Sequence, residues 1–217
     1  MKHSGSICMP LRRGCIGLLC FLGLLLGGCA ALKPKAPAQT VFYALEAIPG
    51  TPVPVAQGAP SLLIAPTRAA AGFDSQRIIY MRQDHQFEYF ARSEWVDTPA
   101  RMLGGLLVTE MSNNGSFRSA AMAAGGGAGE LRLLTDIIRL QHEFYSRPSQ
   151  LHFTLRATLL DERTQRVLAW REFDARVAAA SDDPYGGVVA ANQAVHQVLR
   201  KVSGFVGETL RAAPMRP

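Results

Sequence analysis

Histidine, cysteine and the carboxylates are the side chains with which this chain could do chemistry, and their spacing limits what that chemistry is. His85, His142, His152 and His196 lie far apart, and none belongs to an H-E-x-x-H metal motif. His142 and Asp136, six residues apart in an extended run, are expected to share a strand face, but two ligands do not hold a metal ion. His152 falls on the polar side of its strand and His196 beside the apolar stripe of the last helix, which are positions for satisfied or solvated rings. There is no G-x-S-x-G elbow and no cysteine pair spaced for zinc. Glu88, Glu94 and Asp97 cluster near Trp95, yet acid–base work needs a cleft that perturbs a carboxyl group, and Asp97 reads more simply as a helix cap. Residues 125–129, Gly-Gly-Gly-Ala-Gly, lack the sixth-position glycine of a dinucleotide loop and the lysine of a P-loop, so they read as a turn. No catalytic residue, metal ligand or cofactor is assigned.

The cysteines carry the clearer message. Lys2, Arg12 and Arg13 precede an apolar run over residues 14–26, the charged and apolar parts of a secretory signal. That run is shorter than the roughly 20 residues a membrane-crossing helix needs. It ends at Leu26-Gly27-Gly28-Cys29, which resembles the bacterial lipobox. By that resemblance the Cys29 sulfur receives a diacylglycerol, cleavage frees its amine, and a further acyl chain is added. Cys8, Cys15 and Cys20 would leave with residues 1–28, and no cysteine follows Cys29. A lone cysteine in an exported chain forms no internal disulfide, so Cys29 reads as an anchor. Ala30 stands where an aspartate would favour inner-membrane retention, which implies the periplasmic face of the outer membrane. Without residues 1–28 the chain holds 20 basic and 17 acidic residues and no basic cluster, so nucleic acid is not an expected partner.

The elements behind the anchor follow from patterning. Residues 29–40 are the acylated cysteine and a Pro/Ala/Lys tether, 41–211 one domain, and 212–217 a tail. Short strands are expected at 41–45 and 61–65, and a hairpin at 77–90 turning through Gln83-Asp84-His85. Asp97-Thr98-Pro99 suits a helix start, and Leu103, Leu106, Leu107 and Met111 recur at helical spacing before Asn114-Gly115. Gly104 and Gly105 are costly inside a helix and point to close packing against the sheet. Segments 131–145, 151–159 and 166–177 read as an antiparallel meander; the second alternates apolar and polar residues most cleanly. Asp183-Pro184 opens a last helix with Val188, Val195, Val198, Leu199, Val202, Phe205, Val206 and Leu210 on one stripe. The predicted class is α+β, a mostly antiparallel sheet with two helices on one face. Phe87, Tyr89, Phe90 and Trp95, crowded into nine residues, are ordinary core aromatics or a face for a partner or a lipid tail.

An ordered set of segments carries a family resemblance. Leu62-Leu63-Ile64-Ala65-Pro66 leads to Arg77-Ile78-Ile79-Tyr80, then to the stretch from Phe87 to Trp95, to Asp97-Thr98-Pro99 with Leu106-Leu107, and to Asn114-Gly115-Ser116-Phe117. Behind a lipobox, this order resembles the ABC-type transport auxiliary lipoproteins, a family that includes the paraquat-inducible protein C lipoproteins. The resemblance implies a non-catalytic, lipid-anchored component of a lipid-trafficking system built around a periplasm-spanning mammalian-cell-entry (MCE) domain protein. It also implies a ring-like homo-oligomer, and no nucleotide site in this chain. A lipid-binding lipoprotein acting alone and an envelope scaffold stay open as alternatives.

Overall fold

The computed structural model describes residues 39–47, 50–123 and 129–212. Leu26, Gly27, Gly28 and Cys29, and most of the glycine-rich turn, lie outside the described residues. The described chain runs β1 (Val41–Tyr43), β2 (Ser61–Ile64), β3 (Arg68–Ala69), β4 (Arg77–Met81), β5 (Glu88–Trp95), α1 (Pro99–Asn113), β6 (Ser119–Met122), β7 (Leu131–Glu143), β8 (Gln150–Asp161), β9 (Val167–Ala178) and α2 (Pro184–Ala212).

β7 is the spine. Along one edge it pairs antiparallel with β8 from Leu131↔Asp161 to Glu143↔Gln150, and β8 pairs antiparallel with β9. The other edge is served in succession by three short parallel strands, with Leu62↔Leu131, Arg68↔Asp136 and Tyr80↔His142. Pro66, which has no N–H to give a ladder, separates β2 from β3. The seven residues between β3 and β4 include Gly72 at φ 92°, a left-handed turn that re-aims the chain. β6 lies parallel outside β2, β5 antiparallel outside β4, and β1 parallel outside β5. The sheet is therefore mixed. Its long pairings are antiparallel, as the alternation in 151–159 predicts, and the short parallel ones were not visible in sequence.

Both helices cover the same face. Leu131, Leu133, Ile137, Leu151, Phe153, Leu155, Leu159, Phe173 and Ala175 form one core with Leu103, Leu107 and Met111 of α1 and the predicted stripe of α2. Full burial of a side chain such as Phe153 is worth about 1.5–3 kcal/mol each. The helix starts differ in detail. Asp183 Oδ1 accepts the Gly186 N–H at 2.8 Å ahead of Pro184, a working cap. At α1 the N-cap is Thr98, which makes no side-chain cap bond. Asp97 instead accepts the Thr98 N–H at 2.7 Å and pairs with Arg101 at 3.2 Å, so its role is one residue removed from the expected cap. Gly104 sits where a Cβ would press on Met122 of β6, the predicted close packing, whereas Gly105 faces open space. Gly115, at φ 70°, ends α1 with a Cβ position only 2.7 Å from the Pro54 carbonyl, so the segment 50–60 can cross the helix end there. Among the described residues no helix is long and apolar enough to cross a membrane.

Candidate interaction site: the aromatic end of the sheet

The residues following the tether are bolted to α2. Asn192 donates to the Ala44 carbonyl at 3.1 Å and accepts the Glu46 N–H at 2.8 Å, and His196 Nε2 donates to the Glu46 carbonyl at 2.6 Å. His196 is thereby committed to a structural bond. Behind this segment lies a cavity of about 330 Å³ whose lining includes Glu110, His196 and Arg200 beside Leu106 and Leu199. Charged groups in that wall suit water or a polar ligand better than an acyl tail.

The four aromatic residues singled out in the sequence separate in space. Trp95 is 3% exposed and lies in the core. Phe90, half-buried, stacks on Tyr80 with ring centres 4.5 Å apart. Phe87 and Tyr89 are exposed; Phe87 meets Phe73 edge-on at 5.4 Å, and the Arg77 guanidinium lies 4.9 Å over the Tyr89 ring. What the strand end gathers around them comes from elsewhere in the chain. Phe144 sits 5.7 Å from Tyr80 and 4.3 Å from His142, and the Tyr145 hydroxyl reaches Met81 sulfur at 3.6 Å. Tyr80, Phe90, Phe144 and His142 thus form one cluster at the ends of β4 and β7 and the start of β5, with the Phe73–Phe87 pair and Tyr89 apart from it. The exposed tips of this aromatic end are Phe87, Tyr89 and Tyr145. The predicted hairpin already sets Tyr80 beside Phe90, but Phe144 could not be placed there from sequence, because only the parallel pairing of β4 with β7 brings it to them.

An ion-pair cluster sets the shape of this end. Arg82 and Glu88 form a two-pronged pair across the hairpin, and the Tyr80 hydroxyl donates to Glu88 at 3.0 Å. The bond from Arg82 holds the Glu88 carboxyl below the usual carboxylate range. Burial, then the Glu88 carboxylate, pushes the Tyr80 hydroxyl up, and burial does the same to Tyr145. Both phenols therefore stay neutral near pH 7 and present amphipathic rings, the kind enriched at protein interfaces.

Two of the histidines, His142 and His152, are buried. His142, 0% exposed, lies on the helix side of β7; its Nε2 bonds Ser149 Oγ at 2.8 Å, and its Nδ1 has no partner. Burial pushes its pKa down, opposed by Asp182 and Asp183. Asp136 lies on the other face, ion-paired with Arg68 at 2.8 Å. The expectation that Asp136 and His142 share a face fails because the register shifts between Ile137 and Arg139, and one extra residue inverts the alternation beyond it. His152, on the helix-free side, meets Glu143 through Nδ1 at 3.0 Å and Asp174 through Nε2 at 2.7 Å. Among the described residues no group of three or more His, Cys, Asp or Glu is placed to hold a metal ion.

The model of the family described as the ABC-type transport auxiliary lipoprotein component matches residues 43–203. No curated protein matches the sequence. In fold, the chain is similar to a Xanthomonas campestris protein of the DUF330 family at a TM-score of 0.72 and 24% identity, covering 80% of this chain and 98% of that one. An uncharacterized protein of known structure matches at a TM-score of 0.62 and 12% identity, covering 78% and 99% of the two chains. A hypothetical protein from Chlamydia trachomatis matches at 0.50 and 10%, covering 72% and 100%. With the family model spanning β1 to most of α2, the chain belongs to the ABC-type transport auxiliary lipoprotein component family.

Proposed function

We propose that the protein is the auxiliary, non-catalytic component of an ABC-type lipid transport system, held on the periplasmic face of the outer membrane by acyl chains on Cys29. Its partner is a periplasm-spanning MCE-domain protein, and the energy comes from an ATPase elsewhere in the system. The observation that carries this reading is the family match over residues 43–203, behind the Leu26-Gly27-Gly28-Cys29 lipobox. The aromatic end supplies the docking surface, with Phe87 and Tyr89 as the contacts, held by Phe73 and Arg77, while Phe90 packs on Tyr80 and Trp95 lies in the core. A ring-like homo-oligomer belongs to the same proposal. A lipid carrier acting alone would want an apolar enclosure, and Glu110, His196 and Arg200 in its wall make the 330 Å³ cavity a poor one.

In-cell crosslinking of the acylated, tagged protein, followed by mass spectrometry, tests the partner. A photo-crosslinker at Phe87 is expected to capture an MCE-domain protein, and the same probe at Trp170, on the far strand β9, is not. Capture of lipid alone from both positions would sink the docking reading and favour the carrier. Cys29→Ala is expected to leave an uncleaved, mislocalised precursor; normal processing and outer-membrane fractionation of that variant would overturn the anchor.

A further inference from the structure

Exposed apolar side chains collect where the domain begins. Val41 is 49% exposed, Phe42 58% and Val96 55%, and Val96 donates its N–H to the Tyr43 carbonyl, so the three belong to one corner of the sheet. Among the described residues β1 is an edge strand whose one neighbour is β5. Val41 pairs with Ser93 and Phe42 with Glu94, so successive side chains leave the edge on opposite faces and each face of the rim carries an exposed apolar side chain. Ala91 and Arg92 of β5 are exposed beside them. The opposite edge, β9, is built otherwise. It carries exposed Val167 and Trp170 among Arg171, Glu172, Asp174 and Arg176, and Lys201 donates to the Asp174 carbonyl at 2.8 Å, which blunts it.

We propose that the β1 edge is the membrane-facing surface of the domain, with Val41, Phe42 and Val96 set into the boundary between lipid headgroups and acyl chains. This rests on the acylated Cys29 of the proposed function and adds which side of the domain meets the bilayer. Eleven residues lie between Cys29 and Val41, so β1 stays within about 40 Å of the anchor even at full extension. Covalent closeness of this kind turns a weak apolar contact into an intramolecular one at high effective concentration. An edge with an exposed apolar side chain on each face suits insertion between headgroups, whereas a protein groove would cover one face only. Arg92 stands beside the rim with a charge fit for lipid phosphate, and the aromatic end stays free for a protein partner.

The test uses the absence of any cysteine after Cys29. With Cys29 acylated, Phe42→Cys, Val96→Cys and Trp170→Cys each accept one environment-sensitive fluorophore. The labelled proteins are reconstituted in phosphatidylethanolamine/phosphatidylglycerol vesicles carrying a nitroxide lipid, and circular dichroism checks that each remains folded. The expected result is a blue shift and loss of emission at positions 42 and 96, and neither at 170. Flotation of the protein with vesicles, without quenching at 42 and 96, overturns the orientation and leaves the anchor intact. Equal quenching at all three positions also overturns it. Failure of the acylated protein to float removes the anchor and this placement together.

Discussion

The two faces of the β7–β9 meander each bury a histidine and treat it in opposite ways. On the helix side, His142 sits among Phe90, Phe144 and the first turn of α2, with one hydrogen bond and one unpartnered nitrogen against Gly187. On the open side, His152 has both nitrogens against carboxylates, while Thr154, Gln141 and Arg176 bond those carboxylates in turn. The helix side is held by shape and exclusion of water, so its errors are volumetric. The open side is held by charge matched to charge across strands, as in Arg156–Glu172 and Arg132–Glu162, and water can replace much of what any one pair supplies. Substitutions on the first face should therefore cost several times what they cost on the second.

The largest effect is expected for Phe153→Ala, whose side chain is fully buried between β7, β9 and the helices. Truncation there leaves a cavity and costs about 3–5 kcal/mol, read as a fall in the urea midpoint at unchanged slope. A loss near 1 kcal/mol would mean that the helix side relaxes easily, and the contrast between the faces would be gone. Gly187→Ala comes next. A Cβ on Gly187 would overlap the His142 ring, which Ser149 holds from the other side, so overpacking of about 1–3 kcal/mol is expected. The double variant Gly187→Ala/His142→Ala should recover part of that loss, which locates the clash.

His142 also gives the helix side a pH dependence. Its pKa falls below the ordinary 6.5 on folding because burial disfavours the cation. The unfolded chain then binds a proton before the folded one does, so stability rises with pH over this window. The contribution is complete above about pH 6.5 and is lost as pH drops through the lower folded value. Carboxylates held low, such as Asp182 and Asp183, act near and below their ordinary 3.8 and leave the range from pH 5 to 6.5 to histidine. Urea midpoints at pH 7.5 and 5 should differ in the native chain and converge in His142→Phe. An undiminished difference in that variant would assign the acid sensitivity to another group.

Local patterning made the meander legible. Odd positions from Leu151 to Leu159 are apolar and do face the helices, and Asp183-Pro184 opens α2 where cap chemistry said it should. Legibility failed where an outcome depended on which strands become neighbours. Phe144 meets Tyr80 and Phe90 only because β4 docks parallel on the end of β7, and no local signal specifies that pairing. The bulge after Ile137 is a second case: residues 131–143 alternate well enough to read as one strand, but a single inserted residue sends Asp136 and His142 to opposite faces. At the aromatic end, clustering in sequence identified the right strand, while the register shift between β4 and β5, which inverts the alternation, left Tyr89 outside and put Trp95 in the core.

The smallest effect, and the sharpest check on the contrast between faces, is expected for Arg156→Ala. Arg156 reaches Glu172 across strands at 2.6 and 3.0 Å, and both side chains are close to half exposed. A solvent-screened pair of this kind contributes about 0.2–1 kcal/mol, which is within reach of a double-mutant cycle with Glu172→Ala. The aliphatic stem of Arg156 covers part of the strand, so the single variant alone would mix lost packing with lost charge, and the cycle removes that ambiguity. A coupling in the expected range that shrinks further in high salt would confirm that the open face is wetted in solution. A coupling well above 2 kcal/mol, insensitive to salt, would mean that water does not reach the pair. The open face would then be covered in solution, and the partner would have to be sought there as well as at the aromatic end.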